Sequence, residues 1–234
     1  MSEGNDYYAS RRKRLLRGFD RLARRLRPKL ERRYGGAFAE EVLVDSRREL
    51  ERIIPRIPYI GGWRNAFTPV MVVNAWLLAL HRAMTARGKS AEEVIRVCAE
   101  VSDEFIRSFP GFLLRAVGRL AFLPPVRRFF QKQAQRSQER RFPGDFVYEV
   151  RVSEDGEFAL VFEECAVNKF YDAENVRELK PYCNFFDVTC SRLMNMGVDA
   201  RETIGLGCEK CSLRYKHGRE TIVPERLRGV LPEP

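Results

Sequence analysis

The sequence predicts an α+β fold, with a helical N-terminal half packed on a small antiparallel sheet with helices. Three observations lead there. Up to about residue 140, apolar residues recur at the three-to-four spacing of amphipathic helices. From Phe146 the spacing changes to alternation, with Phe146, Tyr148, Val150 and Val152 separated by Val147, Glu149 and Arg151. The turn residues Glu154-Asp155-Gly156 then lead into a second apolar run, Phe158 to Phe162, which completes a hairpin.

The elements follow in order. Residues 8–34 form a basic amphipathic helix with Leu15, Leu16, Phe19, Leu22, Ala23 and Leu26 on one stripe, and Pro28 is expected to kink or end it. Gly35-Gly36 breaks the pattern. A second helix runs from Ala37 to Ile54 and stops before Pro55. Pro55 to Phe67, with Pro58, Gly61 and Gly62, is a loop. A third helix spans Pro69 to Thr85, and Ser90 with Glu93 forms a capping box that opens a fourth, to about Phe109. Shorter helices follow at 110–121 and 126–140, and after the hairpin at 165–172, 174–180 and 182–196, the last ended by Gly197. Two short strands flank Gly207, near 201–206 and 211–216. The domain layout is 1–36 for the basic helix, 37–142 for the helical region, 143–220 for the α+β region, and 221–234 for a C-terminal tail.

The chain has 234 residues, 44% apolar and 32% charged, which suits a globular protein with a proper core. No apolar run approaches the ~18 residues of a membrane span. The N-terminus is polar and acidic, without the pattern of a secretory signal, so the expected location is cytoplasmic. Thiols there stay reduced, which favours catalytic, metal-binding or buried cysteines over disulfides. The net charge of +10 is uneven: residues 11–33 hold twelve Lys/Arg against Asp20 and Glu31, and the remainder is neutral. The basic helix is therefore read as a packing helix, covering the domain or a second subunit of a homo-oligomer, or as a peripheral membrane helix. Specific nucleic-acid binding is not expected, because no recognised motif accompanies the charge.

Five of the six cysteines fall between Cys165 and Cys211. On one helix, Cys183, Asp187 and Cys190 would stand at i, i+4 and i+7 and share a face. Small buried hydrophobes would explain the cysteines, but a buried Asp187 needs a partner. Cys208-Glu209-Lys210-Cys211 is a CxxC, and a tetrahedral zinc set could be completed by Cys183, Cys190, Cys208 and Cys211, although a second CxxC is absent. Without zinc, no cofactor is called for. His81 and His217 are the only histidines, so a Cys–His dyad is poorly supported. A nucleophilic thiolate would need a helix N-terminus or a cation instead, and Cys183, just after Pro181, meets that requirement.

Glu164-Cys165, Tyr182-Cys183 with Asp187, then Arg201, Thr203, Gly207 and Cys211-Ser212-Leu213-Arg214-Tyr215 together resemble the L-2-amino-thiazoline-4-carboxylic acid hydrolase family. Ile54 to Gly62 with Asn65, the Leu77–Ala83 helix, and Phe142-Pro143-Gly144-Asp145-Phe146 fit the same family, so the likeness covers roughly residues 40–217. The resemblance implies a hydrolase acting on non-peptide C–N bonds of cyclic amidines. Its substrate would be a small molecule like 2-aminothiazoline-4-carboxylate, opened at the C=N carbon to an N-carbamoyl cysteine-type product. It places Cys165, Cys183, Asp187 and Cys211 in the catalytic centre. Cys183 is then the expected nucleophile or metal ligand and Asp187 the general acid/base. Arg201 or Arg214 would grip the substrate carboxylate, with Asn65 and Thr203 as further substrate contacts. Cys190, Cys208 and the basic helix depart from the family pattern. The C-terminal half also looks distantly like vinyl-reductase-type small-molecule sensor domains, which makes a non-enzymatic ligand- or zinc-binding module the alternative.

Overall fold

The protein is described by a computed structural model, over residues 7–154 and 156–233. It is an α+β structure, largely helical, with a four-stranded antiparallel sheet. Two compact units divide it, residues 1–101 and 102–234.

The first unit is built on helices α1 (Arg12–Tyr34), α2 (Gly36–Ile53) and α3 (Thr68–Thr85), with α4 (Ala91–Arg107) containing the point of division. α1 packs on α2, and α2 on α3. Leu15, Leu16, Phe19, Leu26 and Leu30 of α1 are buried, so its apolar stripe belongs to the core of this unit. Arg47–Asp20 at 3.1 Å and Arg27–Glu40 at 2.6 Å clamp α1 to α2. A membrane or subunit contact through residues 8–34 would therefore have to use the arginine face without the leucines. Pro28 neither ends nor breaks α1. It sits on the exposed side of the helix, where the carbonyl it leaves unpaired can be hydrated. The capping box is present: Ser90 Oγ accepts from Glu93 N–H at 3.2 Å, and Glu93 Oε2 accepts from Ser90 N–H at 2.9 Å.

The second unit continues with α5 (Gly111–Leu120), α6 (Pro124–Ser137), β1 (Val147–Val152), β2 (Phe158–Glu164), α7 (Ala166–Ala173), α8 (Phe185–Met194), β3 (Val198–Glu202), β4 (Cys211–Tyr215) and α9 (Glu225–Arg228). The sheet order is β1-β2-β4-β3, antiparallel throughout. The β1–β2 hairpin forms as expected, although Asp155 of its turn lies outside the described residues. Cys211, Leu213 and Tyr215 alternate to the buried face of β4.

Three expectations shift. The segment after α7 is a 3-10 turn, Arg177–Tyr182, because Asn175 turns the chain with φ +56°. α8 starts at Phe185, not at residue 182: the Asn184 amide donates to Ala200 O at 3.0 Å, leaving Cys183 in the turn before the helix. The third strand is Val198–Glu202, and residues 204–206 form a 3-10 turn. That turn needs a glycine at 205, since a Cβ there would stand 2.1 Å from Lys180 O. Among the described residues, no helix is long and apolar enough to cross a membrane.

Candidate thiol site

Sheet register places the first two cysteines. Phe162 of β2 pairs with Cys211, so the start of β4 lies beside the end of β2. Just past that end the chain turns into α7, and Cys165 is its N-cap residue, with extended backbone (φ −114°, ψ 114°). A side chain there faces the unpaired N–H groups of the first helical turn. The Val167 and Asn168 backbone N–H groups and the Cys211 thiol stand close enough to Cys165 to favour its thiolate, although Cys165 makes no directed side-chain cap hydrogen bond, and Cys211 Sγ accepts from Ile204 N–H at 3.1 Å.

Gly205 brings in the third thiol. Its missing side chain lets the 204–206 turn close on the 177–182 turn, and the place of its absent Cβ is 3.2 Å from Cys183 Sγ. Cys183 interacts electrostatically with Cys165 and with Asp187, in the first turn of α8, and Asp187 with Cys190 and Tyr215. The structure thus brings Cys165, Cys183, Cys211, Asp187 and Cys190 together and adds Tyr215, which the sequence did not single out. Cys165, Cys183 and Cys190 keep limited solvent access, Cys211 is buried, and Cys208 is exposed.

The thiols are not equivalent. The Cys211 thiol first, then the helix N–H groups, hold Cys165 down to about 7 against the opposing effect of burial. Lys169, one turn along α7, adds a positive charge within electrostatic reach of Cys165. Burial, reinforced by the negative charges of Cys165 and Asp187, pushes Cys183 well up, so it stays a thiol. Cys211 is raised because it donates to Cys165, and burial pushes Cys190 up to about 12. The helix N-terminus expected for Cys183 is that of α7, with Cys165 at its N-cap, while Cys183 lies in the turn before α8. Burial also raises the Asp187 carboxyl to about 6, despite its place at a helix start.

Arg201 and Arg214 do not face this cluster as free carboxylate ligands. Both bind Asp199, which is 3% exposed: Arg201 through Nε at 3.0 Å and Nη2 at 2.9 Å, Arg214 through Nη2 at 2.7 Å. These bonds, chiefly to Arg201, hold the Asp199 carboxyl below its usual range. The trio locks β3 to β4 at the register pair Asp199↔Arg214. Asp199→Ala should cost about 2–3 kcal/mol in urea unfolding at neutral pH, moderated by the half-exposed arginines. Because its folded pKa is depressed, this contribution holds above the unfolded carboxylate range and fades as pH falls through the folded value. Equal unfolding midpoints for variant and wild type at pH 7 would remove the lock.

Asn65 belongs to the first unit and shapes its own loop. Its amide donates to Ile60 O at 2.6 Å, and its Oδ1 accepts from Phe67 N–H at 2.9 Å. Thr203 is buried just after β3, and its carbonyl accepts from Leu206 and Cys208 N–H groups. The zinc set of Cys183, Cys190, Cys208 and Cys211 is not assembled. Cys208 points to solvent while Cys211 is buried, and no group of three or more His, Cys, Asp or Glu among the described residues is arranged to hold a metal.

Sequence reading missed Asn168. It is 3% exposed, in the first turn of α7, and its amide is close enough to Cys165 and Cys183 to favour their thiolate forms. Yet neither Nδ2 nor Oδ1 has a well-directed hydrogen-bond partner among the described residues. A buried amide left this way is costly unless a ligand completes it. The only sequence signal was an Asn three residues past Cys165.

The chain matches no family model, no curated protein and no solved structure.

Proposed function

We propose that the protein is a thiol-dependent hydrolase of small cyclic amidines, with Cys165 as nucleophile and Asp187 as general acid/base. The observation that carries this reading is Cys165 at the N-terminus of α7, backed by the Cys211 thiol. Nothing in a plain core requires a thiol at a helix N-terminus with a protonatable carboxyl on the far side of a second thiol, Cys183. The resemblance to the L-2-amino-thiazoline-4-carboxylic acid hydrolase family suggests the substrate class.

In this reading the Cys165 thiolate adds to the C=N carbon of the thiazoline, and the ring nitrogen takes a proton delivered from Asp187. Collapse breaks the bond from that carbon to the ring sulfur, which leaves as a thiol and opens the ring. The carbon stays on Cys165 as an S-linked isothiourea. Water adds to it, Asp187 accepting a proton, and Cys165 departs as the N-carbamoyl product is released. Overall one water is consumed and no oxidant is needed. The unpartnered Asn168 amide is suited to the amidine, being able to donate to one nitrogen and accept from another. Carboxylate recognition by Arg201 and Arg214 forms no part of the reading, since Asp199 holds both.

The test is incubation of the full chain with 2-aminothiazoline-4-carboxylate and other cyclic amidines, following release of free thiol and gain of one water by mass spectrometry. Turnover with a transient adduct on Cys165 is expected. Tight binding of these compounds without turnover or adduct would instead identify a ligand-binding module.

A further inference from the structure

Helix α5 turns its apolar face outward. Leu114 and Gly118 are its buried residues, and the helix packs against α8. At Gly118 an added Cβ would stand 1.9 Å from the Met194 carbonyl oxygen, so the approach is a close one. At 3.6 residues per turn, Phe112, Leu113, Ala116, Val117 and Leu120 occupy the arc across from this contact, and Arg115 and Arg119 line one edge of it. Phe112 is 65% exposed, Leu120 53% and Val117 52%. Phe109 before the helix and Leu123 after it are exposed as well, and Phe105 and Phe129 extend the patch at either end. Isolated exposed apolar side chains mean little, but a run of this length is a contact surface.

The charge around it is mostly of one sign, Arg107 being paired with Asp103 at 2.7 Å and Glu104 standing exposed beside Phe105. Residues 105–138 contain seven Lys/Arg and no Asp or Glu. That composition selects the occupant. A second copy of the chain would bring the same positive charge against it, and an apolar protein groove would not call for a cationic border. A lipid surface with anionic headgroups satisfies both halves, because aromatic and aliphatic side chains enter the acyl boundary while arginines meet phosphates. The ten-residue α5 is far below the ~20 residues of a span, so it can only lie in the interface plane.

We propose that residues 105–129 dock the protein on anionic lipid membranes, with α5 lying flat in the headgroup region. The close contact at Gly118 is what leaves the opposite face of α5 clear of the protein body.

Flotation of the full-length protein with phosphatidylcholine vesicles, with and without phosphatidylglycerol, tests this. Binding to the mixed vesicles is expected, weaker binding to phosphatidylcholine alone, and loss with rising salt as charge is screened. The triple variant Phe112→Ser, Val117→Ser, Leu120→Ser should bind at least about tenfold more weakly. Its side chains are exposed, so its circular dichroism and melting should match wild type. Arg115→Gln and Arg119→Gln should each cost about fivefold on the mixed vesicles and flatten the salt dependence. Phe112→Trp should add blue-shifted emission on mixed vesicles, read as a difference from wild type. Absence of vesicle binding at low salt, or equal binding by the folded triple variant, overturns the proposal. So does a dimer that the triple variant splits and that does not bind vesicles, since a second copy would then cover the face.

Discussion

Cys165→Ser is expected to reduce turnover of a cyclic amidine by about a thousandfold or more, while Cys183→Ser retains a substantial share. The asymmetry follows from where the two thiols sit. Cys165 stands beside the N–H groups of Val167 and Asn168 and the Cys211 thiol, which lower it to about 7, so its thiolate is populated near neutral pH. Cys183, in the turn before α8, has burial and two neighbouring negative charges against ionisation. Iodoacetamide labelling gives a readout independent of any substrate. It belongs in a Cys208→Ser background, because the exposed Cys208 would otherwise consume reagent. The labelling rate at Cys165 should rise with pH with a midpoint near 7, as the thiolate fraction grows. Cys211→Ala should shift that midpoint upward, since its thiol is the largest single stabiliser of the Cys165 charge. Faster labelling at Cys183 than at Cys165 near neutral pH would return the nucleophile to Cys183.

The parts of this centre that local patterning encodes were legible, and those that depend on tertiary approach were not. Alternation from Phe146 and the Glu154–Gly156 turn sufficed for the β1–β2 hairpin, because both are short-range properties. The four-member cluster was visible as residue types in order. The ranking within it was not visible. A helix was expected across 182–196, which would put Cys183 in its first turn. The start of that helix is instead fixed by Asn184 bonding Ala200, a contact between residues 16 apart that no local pattern reports. Likewise Arg214 looked like a free cation because Asp199 lies on β3 and Arg214 on β4, paired only through sheet register. Charge averaging hid the lipid-facing segment. The chain outside residues 11–33 sums to neutrality, yet residues 105–138 carry seven basic residues and no acid. In α1 the amphipathic pattern was read correctly, but a pattern cannot say whether its apolar stripe meets core or membrane.

Asp187→Asn should make the protein less active and, at alkaline pH, more stable. Burial raises the Asp187 carboxyl to about 6, above the usual carboxylate range it returns to on unfolding. The folded state therefore binds this proton more tightly than the unfolded chain. That contribution to stability is fully present below the unfolded value near ~4 and is lost as pH rises through about 6. At pH 8 the wild type holds a poorly solvated carboxylate close to Cys183, Cys190 and Tyr215, each of whose ionisation it opposes. Asparagine keeps the shape and removes the charge. Urea unfolding at pH 8 should show a gain on the order of 1–3 kcal/mol, shrinking towards zero at pH 4–5. Turnover should fall about a hundredfold or more, because the amide can neither deliver nor accept the proton. A residue whose replacement stabilises the fold while disabling turnover is retained for chemistry and not for packing. If the variant is no more stable than wild type at pH 8 but is inactive, Asp187 is not the desolvated acid that the geometry implies. If it is more stable and fully active, the proton in the reaction comes from elsewhere, and Cys183, the protonated thiol between Cys165 and Asp187, becomes the donor to test.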